Sequence, residues 1–439
     1  MREKFISDSK ALLIGQVAEA AFGMFSMIFL ARMLGPENRG LLALIILMPM
    51  LLKTLLAGGF AASIIYSVSS RKWEEEAVLP KLIAIWLSLS AIMVVVGSLS
   101  IGGYIWFTDA VSWKYFALII SLAPLTFGAE CVAAVLNGKR RFADLAISGI
   151  IVGVLSLIAC VVLVWGFDLG VVGALMAQVL AAILRIGVGA YYVMRSLGSR
   201  HGKRFWVPRF DLGEECRYGI KSQVANMAAF LNYKADQLLV MHYVGKTGLG
   251  VYSVAVNFAE KLWFVTNFIP RIVLPATAES SDGDKEKVGR FVAKLGRVTL
   301  LCLCIVGVGL GLLSESLVLL LFGVEYQGSA IVLVYLLPGI VAFGYSRILA
   351  NFIAGVGRPG LNAMRSIAAL VVNIVLNILW LPEYGVKGAA LATSVSYSLS
   401  AIACWVFFTK LSGVSLRDAI IPRVEDFKEM FQLVKKRVA

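Results

Sequence analysis

The sequence predicts an all-α polytopic membrane protein, with twelve transmembrane helices forming two six-helix bundles in parallel repeat around a central cavity. Three observations carry that prediction. Of 439 residues, 59% are hydrophobic and 15% charged, with mean hydropathy +0.84, a balance that excludes a water-soluble globule. The apolar residues fall in continuous runs of about 20 or more, the length a helix needs to cross a hydrocarbon core of about 30 Å. Continuous runs, unlike alternating ten-residue segments, exclude an outer-membrane barrel. Finally, the pattern occurs twice. Gln16-Val17-Ala18 returns as Gln223-Val224-Ala225, Gly35 and Gly40 as Gly245 and Gly250, and Gly138 with Arg141 as Gly355 with Arg358. Gly170-Val171-Val172-Gly173-Ala174 returns as Gly385-Val386-Lys387-Gly388-Ala389. Duplicated membrane units face each other across a cavity that opens to alternate sides, the architecture of a transporter.

The apolar runs place spans at about 11–34, 41–69, 81–107, 114–136, 145–167, 171–194, 217–243, 249–278, 295–313, 328–354, 360–381 and 387–409. Charge fixes their orientation. One side receives Arg2, Lys4, Lys10, Arg71, Lys72, Lys139-Arg140-Arg141, the Arg195–Arg217 loop, Lys285–Arg297, Arg358 and the C-terminal tail. The other receives only Arg32, Arg39, Lys114, Lys246 and Lys387. That asymmetry satisfies the positive-inside rule at every loop and puts both termini in the cytoplasm. The net charge of +14 is therefore topology signal and contact with anionic lipid headgroups, not a nucleic-acid footprint. The first span is too long for a signal-peptide core and is expected to be retained.

The organisation that follows is an N-terminal six-helix lobe at 1–200, a basic cytoplasmic connecting loop at 201–216, a C-terminal six-helix lobe at 217–411 and a basic tail at 412–439. In the tail Val424, Phe427, Phe431 and Val434 recur at helical spacing opposite Lys428, Lys435 and Lys436, the pattern of an amphipathic helix on the inner leaflet. Trp73, Trp106, Trp113, Trp165, Trp206 and Trp380 fall near span ends, as an aromatic belt requires. The remaining loops are short and leave no room for a soluble catalytic domain.

No His–Cys spacing, HExxH, Walker lysine or Ser/His/Asp pattern is present, so neither metal, cofactor, ATPase nor hydrolase is expected. The six cysteines read as small apolar residues. What chemistry there is lies in ionisable groups within spans, which are costly in a bilayer and normally pair, snorkel or line a path. They are Glu19, Lys53, Glu130, Arg185, Lys221, Lys234, Asp236, Glu260, Lys261, Arg271 and Arg347, a net positive set suited to an anionic cargo. In the eighth span Asn257, Glu260, Phe264, Asn267 and Arg271 share a helical face. In the seventh, Gln223, Asn226, Phe230, Tyr233, Lys234 and Gln237 share another, with Lys221, Asn232 and Asp236 on its other side. Arg271, Lys234, Arg347 and Lys53 are the candidates for holding an anionic headgroup, and Asn226, Asn257, Asn267, Tyr233 and Gln237 for sugar hydroxyls. Glu19, Asp236 and Glu260 either carry a coupling ion or act as counter-ions. Arg185, Lys221, Lys261 and Glu130 either snorkel or form intramembrane pairs.

Three stretches resemble known sequences. Ala31-Arg32-Met33-Leu34-Gly35-Pro36-Glu37 with Gly40 is similar to the first-loop signature of bacterial polysaccharide exporters. Asp236 with Gly245, Gly250-Val251-Tyr252-Ser253 and Ala255 resembles their seventh-span motif, and Gly385–Ala390 with Ala392-Thr393 their closing motif. Over about residues 10–410 the chain resembles the Wzx-like oligosaccharide flippases of the multidrug/oligosaccharidyl-lipid/polysaccharide (MOP) exporter superfamily. The resemblance implies translocation of a polyprenyl-pyrophosphate-linked oligosaccharide from the inner to the outer leaflet of a bacterial cytoplasmic (inner) membrane, with polysaccharide polymerase or glycosyltransferase partners. The competing readings are a cation-coupled multidrug antiporter of the same fold, expected to have an acidic cavity, and a membrane-embedded glycosyltransferase, expected to carry a large external loop or an acidic metal-binding motif.

Overall fold

The computed structural model describes residues 2–108, 111–197, 213–267, Val273, Thr277 and 285–421. Side chains are described from Ile14 in the first helix and from Met227 in the seventh span. The helices are α1 (Arg2–Ala57), α2 (Phe60–Ser69), α3 (Glu75–Thr108), α4 (Phe116–Gly138), α5 (Phe142–Val161), α6 (Gly170–Leu197), α7 (Gly213–Ala259), α8 (Lys285–Leu312), α9 (Ser314–Phe322), α10 (Gln327–Gly355), α11 (Pro359–Ser412) and α12 (Leu416–Ile420). No strand occurs among the described residues. The helices α1, α7 and α11 each hold two limbs joined at one non-helical residue, Gly35, Gly245 and Gly385 respectively, and the short second limb of α7 is continued by a 3₁₀ helix, Glu260–Asn267. Counting those limbs separately gives a helical segment at each of the twelve expected positions, the eighth described only as far as Asn267.

The duplication seen in the sequence is written into the backbone. Gly35 (φ 69°, ψ 171°) and its match Gly245 (φ 85°, ψ −170°) share one left-handed conformation, open to glycine without steric cost. The paired Gly170 and Gly385 likewise sit at φ 52° and 56°. Three residues after each comes a glycine pressed on the preceding span. A Cβ at Gly173 would lie 2.7 Å from the Leu163 carbonyl oxygen, and one at Gly388 would lie 2.4 Å from that of Trp380. The ends of α4 and α10 repeat atom for atom. Lys139, Arg140 and Arg141 donate their amides to the carbonyls of Val135, Asn137 and Leu136. Val356, Gly357 and Arg358 donate to those of Phe352, Ala354 and Ile353. Both turns place one residue at positive φ, Arg140 at 56° and Gly357 at 80°, and so close the helix end in the same hydrogen-bonded manner.

By packing, the chain divides into two compact units, Met1–Phe230 and Leu231–Ala439. In the first, α1 packs on α5, α4 on α6 and α3, and α2 on α4, around a core that includes Ile64, Trp73, Ile85, Phe127 and Val135. In the second, α10 packs on both α11 and α8, and α12 closes on α8, around Tyr345, Ile348, Phe352, Phe408 and Val414. Arg297 donates to the Asp418 carbonyl, and Tyr345 Oη donates to that of Ala419 at 2.5 Å. These bonds satisfy two orphan carbonyls in the short helix α12.

Several details depart from expectation. The second span is interrupted, because Gly58-Gly59 form a turn between α1 and α2; two adjacent glycines give a helix little reason to continue. The stretch Lys285–Arg297, read as a loop, is the first part of α8, its charges carried on a helical extension. A short helix, α9, occupies part of the expected loop after residue 313. Trp73 is not a belt residue: it is 4% exposed in the core of the first unit, with the Lys81 ammonium 5.5 Å over its ring. Trp106, Trp113 and Trp165 are exposed, as belt residues are. Most of the connecting loop, residues 201–212, and the tail beyond residue 421 lie outside the described residues.

Candidate functional site

The second unit carries a buried polar network centred on Asp236, which is 1% exposed. Its Oδ2 accepts from Tyr252 Oη at 2.5 Å and from Thr393 Oγ1 at 3.1 Å, and its Oδ1 accepts the Gln237 amide at 2.7 Å. Asn373 Nδ2 donates to Thr393 Oγ1 at 3.2 Å, and Asn377 Nδ2 donates to Asn373 Oδ1 at 3.1 Å. Asp236, Tyr252 and Thr393 come from two of the sequence stretches that carry the family resemblance, 157 positions apart at the extreme. Folding joins them at a single carboxylate oxygen. The carboxyl group accepts from three hydrogen-bond donors and forms no ion pair among the described residues. A single acid held by two hydroxyls and a backbone amide suits a proton or a monovalent cation better than a divalent metal, which takes more anionic oxygen ligands. Among the described residues no group of three His, Cys, Asp or Glu side chains is placed to hold a metal.

Beside this network lies an aromatic cluster with cations on it. Tyr233, Trp263, Phe343 and Tyr397 are in mutual ring contact, with Tyr233 edge-on to the other three at 5.7 to 6.3 Å. The Arg347 guanidinium sits 5.4 Å over the Trp263 ring, and that of Arg365 sits 5.7 Å over Phe343, each in range for attraction to a ring face. Lys234 and Glu260 pair at 3.5 Å, both partly exposed. The chain from Glu260 to Asn267 is a 3₁₀ helix, not the α-helix assumed for the polar face of the eighth span. At three residues per turn, Glu260, Trp263 and Thr266 stack on one side, which brings Trp263 into the cluster in place of the expected Phe264.

The first unit holds two further intramembrane ion pairs. Lys53 Nζ donates to Glu130 Oε2 at 2.8 Å, the partners 24% and 41% exposed, and Arg185 meets Glu19 at 2.7 Å. Lys53, Arg185, Glu19 and Glu130 are thus mutual counter-ions in the described structure. Of the sugar-contact candidates, Asn257 donates back to the Ser253 carbonyl of its own helix, Gln237 is buried and Tyr233 lies in the aromatic cluster. Arg271 lies outside the described residues, as do the side chains of Asn226 and Asn267.

Sequence reasoning missed Arg365, Asn373, Asn377 and Trp263. A signal for the first three existed. Arg365, Ala369, Asn373 and Asn377 recur every four residues on one buried face of α11, a polar stripe that a count of charges alone passes over.

Comparison with known proteins gives this site its setting. The model of the polysaccharide biosynthesis protein family matches residues 6–281. The probable low-salt glycan biosynthesis flippase Agl15 of Haloferax volcanii is 23% identical over 398 residues, covering 89% of this chain and 80% of that one. Among solved structures, lipid II flippase MurJ in an inward closed conformation aligns with a TM-score of 0.72 at 17% identity, covering 91% of this chain and 89% of that chain. An inward-facing multidrug resistance MATE family transporter of the MOP superfamily aligns equally well, TM-score 0.72 at 15% identity, covering 92% and 99%. Equal scores for a flippase and a drug exporter mean that architecture alone does not separate these activities. The family model matches the sequence itself over more than half of the chain, and so fixes the family. This protein belongs to the polysaccharide biosynthesis protein family and is a multi-pass membrane protein with the fold of the MOP superfamily structures.

Proposed function

We propose that the protein flips a polyprenyl-pyrophosphate-linked oligosaccharide from the inner to the outer leaflet of the cytoplasmic membrane by alternating access, with both termini cytoplasmic. The lobes 1–200 and 217–411 are the moving bodies, and a polymerase or glycosyltransferase consumes or supplies the cargo. The observation that carries this reading is the cation–aromatic cluster of the second unit. Arg347 over Trp263 and the partly exposed Lys234 offer donors and positive charge to a pyrophosphate, for which guanidinium geometry is well matched. The neighbouring ring of Tyr233 and the amide of Asn257 offer stacking and hydrogen bonding to sugars.

The three candidate acids divide by their partners. Glu19 and Glu260 act as counter-ions to Arg185 and Lys234. Asp236, held by hydroxyls and an amide, is the group that takes up and releases a coupling ion. The test is surface-glycan export in a strain lacking the gene, complemented with variants matched for membrane abundance. Arg347→Ala and Lys234→Ala lower export at least tenfold under this proposal, and Asp236→Asn abolishes it. Undiminished export in both cation variants overturns the headgroup assignment. Normal glycan with altered resistance to organic cations points to the antiporter instead.

A further inference from the structure

Arg365 presents an electrostatic problem that the cargo reading does not use. It is 7% exposed, within the second unit, between α10 and the two limbs of α11. Its Nη1 donates to Ser346 Oγ at 3.2 Å and more weakly to the Ser400 carbonyl at 3.5 Å. Neither partner carries charge, and no carboxylate pairs with Arg365 among the described residues. The Phe343 ring, 5.7 Å away, offers only its quadrupole. Two buried atoms at this point have no hydrogen-bond partner, Arg365 Nε and Ser400 Oγ, and they belong to residues already in contact. Ser346 cannot supply more, since its hydroxyl already donates to the Phe343 carbonyl at 2.8 Å.

A guanidinium removed from water normally finds an opposite charge, because the desolvation cost of a lone buried ion is several kcal/mol. A bridging water would satisfy the orphan N–H and hydroxyl but would leave that charge uncompensated. We propose that Arg365 and Ser400 bind a small inorganic anion of chloride size, which completes the buried network of the second unit. Ser346, Ser400 and Arg365 are 0%, 1% and 7% exposed, so a lipid phosphate or a sugar would have to be buried whole to reach them, which favours a small ion. The anion accepts from Arg365 Nε–H and Ser400 Oγ–H, and ties the first limb of α11 to the second beside α10. The proposal does not depend on the identity of the cargo.

The experiment is a chloride titration of thermal unfolding on the purified full-length protein in detergent, with chloride replaced by gluconate at constant ionic strength. The expected result is a saturable rise of the melting temperature by a few degrees, reproduced by bromide. Ser400→Ala, which removes one donor and keeps the charge, shifts the half-saturating chloride concentration upward several-fold. Arg365→Met abolishes the dependence. In crystals grown in bromide, an anomalous peak lies within hydrogen-bonding distance of Arg365 Nε. Should Arg365→Met fail to fold, the Ser400→Ala shift and the anomalous peak still decide. A melting temperature indifferent to chloride, a dependence unaltered in Ser400→Ala or retained in Arg365→Met, or a water without anomalous signal at that position overturns the proposal.

Discussion

Replacing Tyr252 with Phe tests whether Asp236 is charged in the folded protein, and the structure sets the size of the effect. The carboxylate has three donors, at 2.5 Å from Tyr252, 2.7 Å from the Gln237 amide and 3.1 Å from Thr393. The tyrosine supplies the shortest. A hydrogen bond to a charged group contributes about 1.5–3 kcal/mol, against about 0.5–1.5 for a neutral pair. Tyr252→Phe is therefore expected to cost about 2–3 kcal/mol in the native background and about 1 kcal/mol in an Asp236→Asn background. Thr393→Val is the companion change. Its hydroxyl reaches the same Oδ2 and also accepts from Asn373, so it should couple to Tyr252→Phe by roughly 0.5 kcal/mol or more in a double-mutant cycle. The assay is reversible unfolding in mixed micelles, with each variant's transition measured by tryptophan fluorescence. Equal costs for Tyr252→Phe in the native and the Asp236→Asn backgrounds would refute the charge-assisted bond and, with it, the reason for assigning the coupling ion to this residue.

Other predictions concern packing and pairing. Gly388→Ala and Gly173→Ala bring a Cβ to 2.4 and 2.7 Å of a backbone carbonyl. Each should cost about 1–3 kcal/mol or more through overpacking, whereas Gly360→Ala, with nothing within 4 Å, should melt like the native protein. Lys53→Met leaves Glu130 without its partner. The pair is only partly buried, with Glu130 41% exposed, so the loss should stay below the roughly 3–5 kcal/mol of breaking a fully buried pair, and adding Glu130→Leu should restore most of it. A Lys53→Met variant as stable as the parent would mean that the pair contributes nothing.

The features most legible in the sequence were those dictated by local backbone chemistry. Gly35, Gly245, Gly170 and Gly385 could be paired from the chain alone, and each pair shares a positive φ because that conformation is closed to most other residues. The turn after α4 and its copy after α10 were legible for a similar reason, since Gly138 with Arg141 and Gly355 with Arg358 mark the same hydrogen-bonded helix end. Partnership between charges was not legible. Lys53 meets Glu130 across 77 positions, and Arg185 meets Glu19 from a different helix. Sequence spacing constrains i and i+4 on one helix, and says nothing about which helix comes alongside. Helix type was a second blind spot. An α-helical periodicity assumed through residues 260–267 pointed to Phe264, and the 3₁₀ winding turned Trp263 inward instead. Arg365 was overlooked for a third reason. It lies only a few residues inside its span, where a long basic side chain is expected to snorkel toward water, yet it is buried among Ser346, Ser400 and Phe343.

Asp236 shows how the two kinds of information combine. Its motif context was visible, as were those of Tyr252 and Thr393, but the sequence left open whether it served as a counter-ion. Convergence of the two hydroxyls on one carboxylate oxygen supports the coupling role proposed for it, and the unfolding cycle above bears directly on that choice.

The most direct test of the central proposal is the leaflet in which lipid-linked oligosaccharide accumulates when the gene is deleted. Spheroplasts with intact membranes would be treated with an impermeant glycosidase or periodate, and the surviving lipid-linked glycan quantified before and after membrane rupture. The account predicts that the intermediate is protected in the deletion strain, on the cytoplasmic side, and becomes accessible when the intact gene is restored, but not when the Arg347→Ala, Lys234→Ala double variant is. Intermediate that is equally accessible from outside with and without the protein would contradict it.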